Sequence, residues 1–188
     1  MLDKLPRDMV SSFISAVSNG KSILISGETG VGKSTLTSQL AKLVPSSKKV
    51  TMVDRDTESI RTHVRIEEGL LVQSLKRPTD VVVLDELRGE DALVALDQML
   101  EEVAIIANIY SSDVTTTLNK FVDTIQDYSD HPVNIWDMAE DVVKHVEYII
   151  HIERHEAGSI ISSVLYIDND GTAQEEYKYV YRDGIING

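Results

Sequence analysis

The sequence predicts an α/β fold in which a mostly parallel sheet is flanked by helices and finishes in an antiparallel C-terminal edge. Two observations predict this class. Between residues 6 and 130, short apolar runs typical of buried strands alternate with segments of helical spacing. Beyond residue 141 the apolar runs follow one another directly, separated by turn sequences at 157–158 and 169–171, which is typical of antiparallel hairpins.

The individual elements follow from the same patterns. An amphipathic helix is predicted over 6–19, and the apolar run 22–26 is too short for a helix, so it predicts a buried central strand. Asp113 is a suitable N-cap for a helix over 113–130, and Trp136 is predicted to lie in the core. The remaining predicted elements are helices over 33–43 and around 93–100, and strands over 50–53, 80–86, 103–109, 142–152, 160–167 and 176–181.

Length and composition limit the class of protein. A chain of 188 residues, 42% of them hydrophobic, suits one main domain, which we expect to span 1–188 with a core over about 20–167. Because cysteine is absent, disulfides, thiolate metal sites and cysteine nucleophiles are excluded. The N-terminus does not read as a signal peptide, and no apolar run reaches the length of about 18 residues that a membrane span needs. We therefore expect a cytoplasmic protein with no transmembrane segment.

The charge is acidic and unevenly distributed. The net charge of −13 argues against direct binding of a nucleic-acid backbone. Residues 1–77 carry 12 Lys and Arg against 8 Asp and Glu, whereas residues 78–188 carry 6 against 23. This pattern fits either a solvated acidic surface or an acidic face that meets a basic partner or a neighbouring subunit.

The segment Gly27 to Ser34 carries the clearest functional signal. It matches the G-x-x-x-x-G-K-S pattern between a predicted strand and a predicted helix, which is the context that a phosphate-binding loop requires. Lys33 would place its charge on the β- and γ-phosphates, and the Ser34 hydroxyl would ligate Mg²⁺. The sequence therefore predicts ATP with Mg²⁺ as the ligand, contacted by Gly27, Glu28, Thr29, Gly30, Val31, Gly32, Lys33, Ser34 and Thr35.

Two acidic segments follow other predicted strands. Asp85 and Glu86 end a strand that we expect next to the loop strand, where they would ligate Mg²⁺ or orient the attacking water. Asp54 and Glu58 belong to a second acidic cluster, whose carboxylates could position water or metal near the γ-phosphate. The alternatives are that the first pair caps a solvated strand end and that the second cluster is a surface turn with incidental charge.

Taken together, these segments resemble the secretion ATPase superfamily of type II and type IV secretion, type IV pili and conjugative transfer. The resemblance covers about residues 9 to 167. It rests on 22–36 as the Walker A segment, 50–58 as the acidic box, 74–80 as the arginine-proline-aspartate stretch and 83–92 as the Walker B segment. The resemblance places Asp54 and Glu58 at the matching positions of the acidic box, whose carboxylates are implicated in catalysis. It gives Glu86 the Walker B role.

The resemblance implies a RecA-like P-loop ATPase that forms a homo-oligomeric ring, a hexamer, and powers a secretion, pilus or conjugation apparatus. It also implies a place in the cytoplasm, including the inner face of the membrane. Two departures are apparent. The histidine box is eroded in residues 101–111, where Tyr110 stands in place of its last histidine. The usual N-terminal domain of the family is expected to be absent, since the chain begins almost at the motor domain.

Three functions remain open at this point. The first is a hydrolysing motor domain, and the second is a regulatory or structural nucleotide-binding subunit with weak turnover. The third is a small-molecule P-loop kinase, which the scarcity of arginines after residue 88 disfavours. His151 and His155 have the spacing of a helical metal pair, but His151 lies in a predicted strand, where that spacing loses its meaning, so metal binding by them is not expected.

Overall fold

The computed structural model describes residues 1–54, 64–68, 78–129, 134–156, 158–168, 170–178, 180–182 and 185–187. Within these ranges the helices are α1 (Arg7–Ser18), α2 (Lys33–Leu43), α3 (Glu90–Leu100), α4 (Thr117–Tyr128) and α5 (Ile135–His145). Short 3₁₀ turns at Leu2–Lys4 and Val114–Thr116 precede α1 and α4. None of the helices described is long and apolar enough to cross a membrane.

The strands form one large sheet and one small hairpin. They are β1 (Ser22–Gly27), β2 (Val50–Asp54), β3 (Val64–Glu68), β4 (Val81–Leu84), β5 (Ala104–Tyr110), β6 (Val146–His155), β7 (Gly158–Ile167), β8 (Ala173–Lys178), β9 (Val180–Arg182) and β10 (Ile185–Asn187). The large sheet has the order β3-β2-β4-β5-β1-β6-β7-β8, and β9 pairs with β10.

The direction of pairing changes once across the large sheet. From β3 to β6 every neighbouring pair is parallel, whereas β7 and β8 run antiparallel to their neighbours. The predicted α/β class, with its antiparallel C-terminal edge, is confirmed. Because parallel strands end at the same edge, the segments that follow β1, β4 and β5 lie close together there.

The core lies on both faces of this sheet. Along β1, Ile23 and Ile25 pack into one apolar cluster with residues of α1 and α2, while Leu24 packs into the other with residues of α3, α4 and α5. Alternate residues of a strand point to opposite faces, so a strand covered by helices on both sides has apolar residues at consecutive positions. All six residues of β1 are buried, which explains the consecutive apolar residues 23–25, and the buried Ser22 and Ser26 hydroxyls on either side of them have hydrogen-bond partners.

Two predictions in the C-terminal third were wrong. Residues 142–145, assigned to a strand, belong to α5, and the strand begins at Val146. Trp136, assigned to the core, is 80% exposed. Met138 and Val142 are the buried residues of α5 and stand four apart, so they share one face. Trp136 stands two residues before Met138, about 200° away around the helix, and therefore faces away from the core.

Candidate phosphate-binding site

The loop at 28–32 joins the buried strand β1 to the helix α2. Gly27 ends β1 with a φ of +147°, and a Cβ atom there would collide with the Ile152 carbonyl oxygen of the neighbouring strand β6. A residue without a side chain is therefore required for β1 and β6 to stay paired up to the loop. The α2 helix begins at Lys33, so its free N–H groups and the positive end of its dipole face the loop.

Lys33 connects the start of α2 to the first part of the loop. Its Nζ donates hydrogen bonds to the Gly27 carbonyl oxygen at 2.8 Å and the Glu28 carbonyl oxygen at 2.7 Å. Burial lowers the pKa of Lys33, and the nearby charges of Glu86 and Asp85 act in the opposite direction. The ammonium group is thus partly desolvated beside two carboxylates, a setting in which it would interact strongly with an anion.

A cavity of about 340 Å³ opens beside the loop. Of the residues predicted to contact phosphate, Thr29, Gly30, Gly32, Lys33, Ser34 and Thr35 line it. Val31 is instead buried in the core, and Gly27 and Glu28 contribute the carbonyl groups that hold Lys33. Asp85, Glu86 and Asn108 complete the lining on the opposite side.

Asp85 and Glu86 line this cavity, but the strand that precedes them has a different position in the sheet from the one expected. The strand β4, which ends just before them, is not next to β1, because β5 lies between the two. The expected adjacency was wrong, although the carboxylates still line the cavity. Arg88 Nη1 lies 3.3 Å from Glu86 Oε2, so the two side chains form a partly exposed ion pair.

Asn108, on the intervening strand β5, was missed by the sequence analysis. Its side chain is 1% exposed and bridges the two halves of the site. Asn108 Oδ1 accepts a hydrogen bond from Thr37 Oγ1 of α2 at 2.5 Å, and its Nδ2 donates to Asp85 Oδ1 at 3.3 Å. Leu87 N donates to the Asn108 carbonyl oxygen at 2.7 Å, which joins the end of β4 to β5. The available signal was a polar amide within an apolar strand.

The second acidic cluster is described in part. Asp54 ends β2, which pairs in parallel with β4 on the side away from β5. The structure describes the backbone of Asp54 but not its side chain, and Glu58 lies outside the described residues. The predicted catalytic roles of these two residues remain predictions.

On the other side of β1, two residues of β6 contact the strand and the loop. His151 is 3% exposed, and its Nδ1 lies 2.7 Å from Ser26 Oγ, two residues before the loop. Arg154 Nη2 donates a hydrogen bond to the Gly30 carbonyl oxygen at 2.6 Å. His151 lies on a strand as expected, and this strand extends to His155; the described residues include no cluster of three potential metal ligands.

The environment of His151 predicts how stability depends on pH. Burial lowers the pKa of His151; Glu153, Asp113 and Glu28 raise it, and Lys33 lowers it further. An unfolded chain protonates this histidine near its ordinary value of about 6.5, while the folded chain resists protonation. The free energy of unfolding should therefore be constant above about pH 6.5 with respect to this group and fall as the pH drops below it.

Urea unfolding at about pH 7 and about pH 5.5 measures this effect. His151→Gln should lose less stability between the two pH values than the wild type, because glutamine does not titrate. His155→Gln, on the same strand, serves as the matched control and should keep the wild-type dependence. Equal pH dependence in all three proteins would contradict this account of His151.

The loop, the helix after it and the carboxylates at the end of a parallel strand define the class: this is a P-loop nucleotide-binding domain. Residues 22–173 match the family model described as CobQ/CobB/MinD/ParA nucleotide binding domain, and the chain belongs to that family. Domains of this class bind nucleotides, typically together with Mg²⁺.

Solved structures of secretion and pilus ATPases share this fold. The VirB11 ATPase of the Brucella suis type IV secretion system, in complex with sulphate, is 20% identical with a TM-score of 0.74, over 85% of this chain and 52% of that one. The DotB ATPase of Legionella pneumophila is 17% identical with a TM-score of 0.63, over 88% and 50%. The pilus retraction motor PilT with bound ADP is 17% identical with a TM-score of 0.63, over 86% and 50%.

These similarities confirm the resemblance to secretion ATPases at the level of fold, although the matching family model carries a different description. A curated relative, an uncharacterized protein of Bacillus anthracis, is 23% identical over 166 residues, which cover 79% of this chain and 36% of the relative. The chain spans about half the length of the three solved structures and about a third of the curated relative.

Proposed function

We propose that this protein binds ATP together with Mg²⁺ at the cavity beside residues 27–35 and hydrolyses it. The observation that carries this proposal is the convergence of Lys33, Ser34, Asp85 and Glu86 on one cavity. A partly desolvated cation at a helix N-terminus suits the β- and γ-phosphates, and carboxylates opposite suit a metal ion or a nucleophilic water.

Each of these groups has a proposed role. Ser34, Asp85 and Glu86 supply hydroxyl and carboxylate oxygens, the ligands that Mg²⁺ prefers, and the bound ion would offset phosphate charge. Lys33 binds the β- and γ-phosphates, and its charge stabilises the transition state. Glu86 orients the attacking water. Asp54 and Glu58 are proposed to assist near the γ-phosphate, as the resemblance of residues 50–58 to the acidic box implies.

Asn108 is proposed to couple the two sides of the site. It contacts Thr37 on the helix that carries Lys33 and Ser34, and it contacts Asp85 on the opposite side of the cavity. The Asn108 side chain is buried, and each of its polar ends has a partner. A shift of Asp85 would therefore change the hydrogen bond between Asn108 and Thr37 of α2. This arrangement would link the occupancy of the phosphate site to the position of the β4 end.

At the level of the cell, we propose a cytoplasmic motor domain of a secretion, pilus or conjugation system. The fold shared with structures named as a type IV secretion ATPase and a pilus retraction motor supports this choice. By the same resemblance, the active form is a homo-oligomeric ring, a hexamer, that meets apparatus proteins at or near the inner face of the membrane. The acidic C-terminal part of the chain is a candidate surface for a basic partner or neighbouring subunit.

One observation favours a second candidate function, a nucleotide-binding subunit with little turnover. Glu86, the proposed catalytic carboxylate, is paired with Arg88 at 3.3 Å. In that arrangement one carboxylate oxygen faces the guanidinium group, which leaves it less available to accept a hydrogen bond from water. This candidate predicts tight nucleotide binding with slow release of phosphate.

Phosphate release from ATP by the purified wild-type protein, with Mg²⁺ and with EDTA, separates the two candidates, while size-exclusion chromatography with and without ATP reports on assembly. The motor proposal predicts Mg²⁺-dependent turnover that increases in the assembled species. Binding of ATP without turnover in any oligomeric state would support the second candidate instead.

A further inference from the structure

The strand β6 holds the phosphate-binding loop from the side opposite to β5. His151 contacts Ser26 at the end of β1, and Arg154 reaches the loop itself at Gly30. Both contacts join residues more than a hundred positions apart in the sequence, so they depend on the pairing of β6 with β1. Of these two, Arg154 contacts the backbone that lines the cavity.

The contact of Arg154 sets the direction of one peptide group of the loop. The structure has no cis peptide bond in its described part, and in a trans peptide the C=O and N–H groups point in opposite directions. Because the Gly30 carbonyl group points to Arg154, the N–H of Val31 in the same peptide unit points away from it. In a phosphate-binding loop, backbone N–H groups turned towards the ligand are the donors to phosphate oxygens, so the direction of this peptide group matters for binding.

Among the described residues, none packs against Gly30 in the direction that a side chain would take. Gly30 has a φ of +77°, and a Cβ atom built on it would have no neighbouring atom within 4 Å. Glycine populates many backbone conformations, so an unpacked glycine at the tip of a loop does not by itself select one peptide orientation. The earlier carbonyl groups, of Gly27 and Glu28, are held by Lys33. In the same way, the cationic side chain of Arg154 donates a hydrogen bond to the carbonyl group of Gly30, further along the loop.

We infer that Arg154 is a positioning residue, which holds the Gly30–Val31 peptide in the orientation that receives the phosphates of a nucleoside diphosphate or triphosphate. The inference rests on the proposed nucleotide binding. It assigns Arg154 to the loop backbone and not to the terminal phosphate, so ADP and ATP should depend on it equally. It also requires the loop to change shape when Arg154 is replaced, even with no nucleotide present.

The test compares Arg154→Gln and Arg154→Lys with Arg7→Gln, which removes one exposed positive charge from α1 as a matched control. Isothermal titration with ATP and with ADP, both with Mg²⁺, should show about tenfold weaker binding of each nucleotide to Arg154→Gln, a loss of one charge-assisted hydrogen bond. Arg154→Lys should recover part of this loss, and Arg7→Gln should bind as the wild type does. Without nucleotide, the thermal midpoint of Arg154→Gln should stay within about 2 °C of the wild type, since the side chain is exposed.

A second measurement tests the inference independently of nucleotide binding. In ¹H–¹⁵N spectra without nucleotide, the amide signals of Gly30, Val31 and Gly32 should move in Arg154→Gln and not in Arg7→Gln. Unmoved loop signals, or unchanged affinity for both nucleotides, would overturn the inference. A loss confined to ATP would overturn it too, because it would place the guanidinium on the γ-phosphate. If the wild type itself binds neither nucleotide, the proposed function fails, and the spectra alone decide the inference.

Discussion

Replacing Lys33 by alanine is expected to weaken ATP binding by about 100-fold or more, because two effects are lost together. The ammonium group proposed to contact the β- and γ-phosphates is removed. In addition, the Gly27 and Glu28 carbonyl groups lose the ammonium group that donates hydrogen bonds to them and holds the start of the loop. Isothermal titration with ATP and Mg²⁺ measures the change in affinity.

Lys42→Ala provides the matched control for this experiment. Lys42 lies in the last turn of the same helix and is exposed, so its removal changes the charge of α2 without touching the cavity. The control should bind ATP as the wild type does. If Lys33→Ala kept wild-type affinity, the phosphates would not lie beside this lysine, and the proposed site would be wrong.

Replacing Glu86 by glutamine is expected to lower phosphate release from ATP by about 100- to 1,000-fold while ATP binding changes little. Glutamine keeps the size of the side chain but cannot orient and polarise a water molecule as a carboxylate does. The substitution also removes the charge that Arg88 pairs with. Single-turnover phosphate release and isothermal titration, run on the same preparation, separate the catalytic step from binding.

Two further variants show whether a loss of turnover is specific to Glu86 and whether Asp85 binds the metal ion. Glu90→Gln replaces an exposed carboxylate in the first turn of α3 and should leave turnover unchanged. Asp85→Asn replaces the other carboxylate of the cavity, and a loss of Mg²⁺ dependence there would assign metal binding to Asp85. If Glu86→Gln hydrolysed ATP at the wild-type rate, the catalytic role would belong to another residue, and Asp54 and Glu58 would be the next to replace.

Much of the fold could be predicted from the sequence because both faces of the sheet are covered. Strands buried on both sides have consecutive apolar residues, as in residues 23–25 and 104–107, and helices between them show one apolar face. The boundary between α5 and β6 could not be placed this way. There the helix passes directly into the strand at Val146, with no Gly, Pro or other turn sequence to mark the junction.

The residues of the site that are neighbours in the sequence could be predicted, whereas those brought together by the order of the strands could not. The phosphate loop is a single segment, so its residues and their order define it. The position of β5 between β1 and β4 is a property of the whole sheet, and Asn108 becomes part of the site only through that order. The same holds for His151 and Arg154, whose contacts with Ser26 and Gly30 depend on the pairing of β6 with β1.

The central claim is that this cavity recognises the phosphates of a nucleotide. Titration of the wild-type protein with ATP, ADP and adenosine, each with Mg²⁺, tests it most directly, since adenosine keeps the base and ribose but carries no phosphate. The account predicts binding of ATP and ADP and at least about 100-fold weaker binding of adenosine. Equal binding of all three, or no binding of ATP, would contradict it.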